Sequence, residues 1–279
     1  MKITRRRFNW KNFILLVICF ICIISFVYSS FQIVRWNVDK NRTHKQIDVI
    51  KKNVVIKEII DQTSEEIIKQ EEEIPKYNPY WEYIKMNLID VDFKDLKTIN
   101  NQVKGWIQVN GTNINYPFVQ TNNNEFYLKH SFDKKYNQAG WVFIDYRNNI
   151  NGNDKNIILY AHGRLDETMF GSLKNIMTSG WLNNKSNYVI KVSTEKENSL
   201  WQIFSVYTIP TTSDYLQIEF NDNTELQNFY NMLIDRSAHK FDTTVNDSDR
   251  IITLSTCYNK DEKVVMHAKL IKKENRIFD

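Results

Sequence analysis

The sequence predicts a mostly β domain with added helices, closed as a barrel or packed as a sandwich. Three observations predict it. The runs Ile251-Ile252-Thr253-Leu254-Ser255-Thr256-Cys257 and Lys263-Val264-Val265-Met266-His267-Ala268-Lys269-Leu270-Ile271 are rich in β-branched and apolar residues. A polar break of hairpin-loop length, Tyr258-Asn259-Lys260-Asp261-Glu262, separates them. Asn110-Gly111 follows the apolar run 106–109 and is the strongest short hairpin signal in the chain. Further runs of strand character recur from Val103 onward, helical spacing is rare among them, and no internal repeat is visible.

Met1 to Lys11 carries Lys2, Arg5, Arg6, Arg7 and Lys11 without an acid, and residues 13–28 then run free of charge. Apolar character continues through Val34, about the length a bilayer needs. Residues 1–12 thus read as a cytoplasmic basic tail and 13–34 as a transmembrane signal anchor. The basic flank orients everything after Arg35 outside, although Arg35, Lys40, Arg42 and Lys45 weaken the asymmetry. A cleaved signal peptide is the alternative, with Val27-Tyr28-Ser29 as a passable cleavage site, but the apolar run is long for one. Residues 35–78 are charged, with Val54, Ile56, Ile59, Ile60, Ile67 and Ile68 at rough helical spacing and Glu71-Glu72-Glu73 ahead of Pro75. They read as a partly helical extracytoplasmic stalk whose charges are solvated.

The folded domain, 79–279, is expected to begin near Asn78. Trp81, Ile84 and Leu88 suit one short helix, and Phe93, Leu96 and Ile99 a second. Strands are expected at 106–109, at 112–120, where Pro117 suggests an edge or a bulge, and at 140–145, 156–161, 188–192 and 201–208. Residues 225–237 put Leu226, Phe229, Tyr230, Leu233 and Ile234 on one face, a helix inserted before the final hairpin.

The 279 residues suit one large or two small domains, and 42% hydrophobic content supplies a sizeable core. A net charge of +4, with no dense basic block in the last two thirds, argues against nucleic acid as a partner. Of three cysteines, Cys19 and Cys22 fall in the N-terminal apolar run, so Cys257 is the only thiol downstream. A lone cysteine in a secreted domain flags a reactive thiol. An inert buried cysteine is the alternative, and position alone leaves both open.

If the last two strands form a simple hairpin, Cys257 and Lys263 close it with Cβ atoms about 4.5–5.5 Å apart. A nucleophilic thiolate needs a base or cation nearby, and five histidines are available. His44 falls in the stalk. His267 pairs opposite Thr253, roughly 13 Å along the strand from Cys257, too far for a base. His130 and His239 carry no strong local signal. His162 ends the apolar run 156–161 and precedes Gly163, at a strand end where side chains converge on sites. An ordinary turn histidine is the alternative. Ser255 shares the Cys257 face of its strand by two-residue alternation.

Together these pieces resemble the sortase family, class B, from about Phe93 to Leu270. The resemblance is carried by Gly105-Trp106-Ile107, Gly111-Thr112-Asn113-Ile114-Asn115-Tyr116-Pro117-Phe118-Val119-Gln120 and Asn124-Glu125-Phe126-Tyr127-Leu128. It continues through Tyr160-Ala161-His162-Gly163, Met169-Phe170 and Thr253-Leu254-Ser255-Thr256-Cys257. Class B rests on the N-terminal helices and the helix before the last hairpin. The resemblance implies a closed eight-stranded β-barrel and a cysteine transpeptidase on the extracellular face of a Gram-positive cell membrane.

On that resemblance, Cys257 attacks a carbonyl in the C-terminal sorting signal of a secreted surface protein, and a peptidoglycan precursor amine resolves the thioacyl-enzyme. His162 protonates the leaving amine and deprotonates the incoming one. No cofactor is implied, and no metal-ligand cluster stands in the sequence. The family normally carries an arginine early on the strand after the cysteine, to hold substrate and oxyanion. Lys263 stands there, with the charge but without the planar fork of five donors. A solvated hairpin charge is the alternative for Lys263. Arg250 lies roughly 23 Å away along the strand, whereas Arg164, two residues past His162, is within loop reach. Asn124 and Leu128 match an element lining the sorting-peptide pocket of class B enzymes, and Thr212 and Tyr215 flank it; each also fits plain scaffold. A thiol peptidase using water, and a tethered binding module without turnover, are the competing readings.

Overall fold

The computed structural model describes residues 9–59, 79–257 and 262–276. Two short strands, β1 (Ile56–Ile59) and β2 (Leu88–Val91), pair antiparallel. The strands that follow are β3 (Val103–Val109), β4 (Asn115–Val119), β5 (Phe143–Ile144), β6 (Asn156–Ala161), β7 (Val189–Thr194), β8 (Glu197–Pro210), β9 (Ile251–Cys257) and β10 (Glu262–Asn275). These eight close into a barrel in the order β10-β8-β7-β3-β4-β5-β6-β9, the architecture the resemblance implies.

Two-residue alternation decides what fills the barrel. Along β9, Ile252 and Leu254 join Ile157, Leu159, Trp106, Phe118, Trp141 and Met266 in the main core. Ile251, on the other face, belongs to a second core with Val265, Phe204 and Tyr207. β9 is buried on both faces, and on the Ile251 face the buried Thr253 and Ser255 are satisfied by hydrogen bonds to Asn156 and Tyr215. The final hairpin has the expected register, with Lys263 opposite Cys257 and His267 opposite Thr253. Its loop, 258–261, lies outside the described residues. At the first hairpin Gly111 adopts φ +68°, a backbone that favours glycine. Pro117 sits opposite Trp106, while β4 meets β5 only at Val119 and Phe143, so the missing N–H interrupts little of the sheet.

The second core lies under the inserted helix. Among the helices α1 (Trp10–Asn53), α2 (Pro79–Ile84), α3 (Lys94–Ile99), α4 (Ser179–Leu182) and α5 (Asn223–Asp235), this one is α5. Asp222 caps it, accepting from the Glu225 amide at 2.8 Å, while Glu225 accepts from the Asn221 amide at 2.7 Å. Its buried Leu226, Phe229, Tyr230 and Leu233 pack with Phe204, Tyr207 and Val265, each burial contributing on the order of 1.5–3 kcal/mol.

The chain divides into two compact units, residues 1–42 and 43–279. In the first, α1 includes an 18-residue window of mean hydropathy 2.7, long and apolar enough to cross a membrane. The second begins with the last turns of α1, where Ile47 and Ile50 are buried. It therefore starts ahead of Asn78, which itself lies outside the described residues, as do Ile60, Ile67, Ile68, Glu71 to Glu73 and Pro75.

Two expectations are corrected. Ile56 and Ile59 stand at helical spacing but form β1, because β2 supplies a backbone partner that spacing does not reveal. Leu88 belongs not to a helix with Trp81 and Ile84 but to β2, whose four residues are all buried and whose Val91 amide donates to Ser193 Oγ at 3.1 Å. A short run buried on every side carries no period that separates strand from helix.

Candidate active site

β6 runs parallel to β9, and the register ends with Ala161 beside Thr256. One step further along the two chains stand His162 and Cys257, on neighbouring strands whose spacing is about 4.8 Å. On the other side of β9, Lys263 of β10 pairs with Cys257. These three residues thus occupy one end of three successive barrel strands.

His162 is held from below. Its Nε2 lies 2.7 Å from the Leu128 carbonyl oxygen, and a carbonyl only accepts, so Nε2 carries the proton and the neutral ring has its lone pair on Nδ1. The carbonyl is presented by the 3₁₀ turn Phe126–Leu128. Gly140, at φ +60°, lies against that turn: a Cβ there would come 2.5 Å from the Tyr127 oxygen, 2.9 Å from the Leu128 oxygen and 3.1 Å from His162 Cδ2. Burial pushes the His162 pKa below its ordinary value; the Leu128 carbonyl opposes this, and the Arg164 and Lys263 charges lower it further. The imidazole is therefore neutral at pH 7.

The loop after His162 folds back on itself. Gly163 bridges to Met169, and the Phe170 amide donates to the His162 carbonyl at 3.1 Å. Arg164 donates from Nη2 to Asp166 at 2.9 Å and from Nε to Asp166 and Thr168 at 3.1 and 3.0 Å. Burial opposes the Asp166 charge, but Arg164 and Thr168 bring its pKa down to about 2. The Arg164 fork is thus engaged within its own loop. Arg250 donates to the Asp154 carbonyl at the far end of β9. Lys263 is half-buried beside Cys257.

Of the expected substrate-contact residues, Tyr215 and Ser255 meet each other, hydroxyl to hydroxyl, at 2.9 Å. Thr212 is half-buried in the same segment and hydrogen-bonds Asp214, which also pairs with Arg236. Leu128 contributes its carbonyl to His162, with its side chain packed against the main core. Asn124 is held by two hydrogen bonds: its Nδ2 donates to Asp145 at 3.0 Å and its Oδ1 accepts from the Tyr146 amide. Asp145 also accepts from Arg147 and from Tyr160, which stands beside Ser255 in the β6–β9 register.

The remaining histidines are occupied. His267 is fully buried, bonded to Tyr207 at 2.8 Å and Thr253 at 2.9 Å, and burial together with the Arg236 charge pushes its pKa to about 3. His130 stacks on Phe126 at 4.0 Å. His239 lies against Tyr188 and Phe241. His44 Nε2 is 3.7 Å from Asp166. Gly140 and the Asp145 cluster escaped the sequence reading. A glycine before Trp141 and an aspartate closing a strand were the available signals. Among the described residues, no three His, Cys, Asp or Glu side chains gather as a metal site.

The sortase-domain family model matches residues 107–271. Sortase B of Staphylococcus aureus is 33% identical over 184 residues, covering 64% of this chain and 75% of that protein. Sortase B of Listeria monocytogenes is 31% identical over 186 residues, covering 65% and 75%. The crystal structure of B. anthracis sortase B aligns with 64% of this chain and 84% of its own at a TM-score of 0.60 and 38% identity. A barrel of this strand order, matched by these relatives, makes the chain a member of the sortase family, class B, a family of cysteine transpeptidases.

Proposed function

We propose that the chain is a membrane-anchored transpeptidase in which Cys257 is the nucleophile, His162 the general acid–base and Lys263 the cation facing the developing oxyanion. The observation that carries this reading is the pair of registers around β9, Ala161 beside Thr256 and Lys263 beside Cys257. The Cys257 thiol gives its proton to His162 Nδ1 as the sulfur attacks the scissile carbonyl of a C-terminal sorting signal; the C–N bond breaks and His162 passes that proton to the departing amine. The thioester carbon is then attacked by a peptidoglycan precursor amine, His162 takes the proton, and the thiolate leaves. Acyl group, proton and electron pairs balance without a redox partner.

The Tyr215–Ser255 pair with Thr212 forms one wall for the sorting peptide. Leu128 and Asn124 form the other, Asn124 by holding the Asp145–Arg147 cluster in place. The apolar part of α1 serves as the anchor, with residues 1–12 cytoplasmic, 13–34 in the membrane and the barrel on the extracellular face of a Gram-positive cell.

The test uses the intact chain in detergent micelles with quenched sorting-type peptides, with and without an amine acceptor. Wild type should yield an amine-dependent ligated product, and Cys257→Ala and His162→Ala should yield none. Lys263→Met should lose about 10²-fold in kcat, as for removal of one oxyanion partner, and Lys263→Arg should retain turnover. Cleavage without ligation would favour the water-using thiol peptidase. Peptide binding unchanged by Cys257→Ala, with no turnover in wild type, would favour the binding module.

A further inference from the structure

We propose that Thr43, on the last turns of α1, is a positioning residue for His162, acting through Asn137 and the Gly140 backbone. The inference rests on the reading of His162 as the acid–base.

The path begins between buried groups and ends at the half-buried Leu128 and His162. Thr43 is 1% exposed and Asn137 fully buried. Asn137 Nδ2 donates to Thr43 Oγ1 at 3.0 Å. Asn137 in turn shapes the turn that follows it, its Oδ1 accepting from the Ala139 amide at 2.9 Å and its carbonyl from the Gly140 amide at 3.0 Å. Its own amide donates to the Lys129 carbonyl at 2.9 Å, tying the turn to the segment that carries Leu128. Gly140 then abuts the Tyr127 and Leu128 carbonyls and His162 Cδ2, and the Leu128 carbonyl receives the His162 proton.

A second contact reaches the opposite support of the same histidine. His44, the next residue of α1, lies 3.7 Å from Asp166, which grips Arg164 in the loop that returns to the His162 carbonyl through Phe170. Two consecutive residues at the end of α1 thus touch both segments that hold His162. The physical argument is one of tolerance. Without the Thr43 hydroxyl, Asn137 Nδ2 is left unsatisfied in a buried site and must turn to find an acceptor. Its Oδ1 turns with it, releasing the Ala139 amide and loosening the turn that backs the Leu128 carbonyl. A displacement near 1 Å at a reacting group costs on the order of 10²-fold in rate, so a fraction of that is readable in kcat.

The experiment uses the intact chain in micelles and compares Thr43→Val, Thr43→Ser and His162→Ala. Thr43→Val, near-isosteric but without the hydroxyl, should lower kcat about tenfold with KM nearly constant, and Thr43→Ser should restore it. The imidazole ring of His162, followed by NMR and identified by its loss in His162→Ala, should titrate about half a unit higher in Thr43→Val, because a looser ring is better solvated. This second reading needs no substrate. An unchanged kcat and an unchanged His162 midpoint in folded Thr43→Val would overturn the proposal while leaving the acid–base reading intact. Turnover surviving in His162→Ala would overturn both.

Discussion

Lowering the pH from 7 to 4.5 should destabilise the barrel through His267. The hydrogen bonds around this residue have a fixed direction. Asn156 Nδ2 donates to the Gln217 carbonyl at 2.9 Å, so its Oδ1 is the acceptor for the Thr253 hydroxyl at 2.7 Å. Having given up its only proton, Thr253 must accept from His267 Nδ1, which leaves His267 Nε2 to accept from the Tyr207 hydroxyl. A second ring proton would require the Tyr207 oxygen, already bonded to Arg236, to accept instead of donate, and burial and the Arg236 charge set the folded pKa at about 3, against an ordinary 6.5. Below pH 6.5 the unfolded chain therefore binds a proton that the folded chain refuses. Stability is fully present above that value and is lost as pH falls toward about 3. At pH 4.5, two units below the unfolded midpoint, the loss is roughly 2–3 kcal/mol. Urea unfolding of the intact chain, followed by fluorescence of the buried Trp106, Trp141 and Trp201, measures it. His267→Gln keeps a donor and an acceptor but does not titrate, so wild type should lose about 2–3 kcal/mol more than the variant between the two pH values. Equal losses in both proteins would refute the reasoning.

Gly140→Ala combines a left-handed backbone with a Cβ 2.5 Å from a carbonyl, and should cost at least about 1–2 kcal/mol and displace the His162 support; thermal unfolding and the ligation assay check it. Tyr215→Phe and Ser255→Ala each break the same buried hydroxyl pair, at roughly 1–3 kcal/mol. The double variant should cost clearly less than the sum, a coupling that urea unfolding of the four proteins would read directly. The same depressed His162 pKa predicts that resolution by amine, which needs the neutral ring, persists below pH 6.5 before its acid limb appears in a pH–rate profile.

Much of this protein could be read from local pattern. Lys263 opposite Cys257 and His267 opposite Thr253 follow from two apolar runs and a short polar break, because a hairpin loop fixes register over a few residues. The helix Asn223–Asp235 follows from 3.6-residue spacing of Leu226, Phe229, Tyr230 and Leu233. The depth of His267 and the surface it meets did not, since Tyr207 and Arg236 come from elsewhere in the chain. β1 and β2 were hidden because paired backbones leave no signature when the partner is distant and the strand is four residues long. The bonds of the Asn124 amide to Asp145 and Tyr146 are visible only in the fold. The sequence alone determined most of the barrel strands, the inserted helix, the final hairpin and the single downstream thiol. Tertiary structure decided that β6 lies parallel beside β9, bringing His162 next to Cys257, and that the end of α1 reaches both supports of that histidine. Side-chain periodicity is a local property, whereas which backbones lie side by side depends on closing loops across the whole barrel.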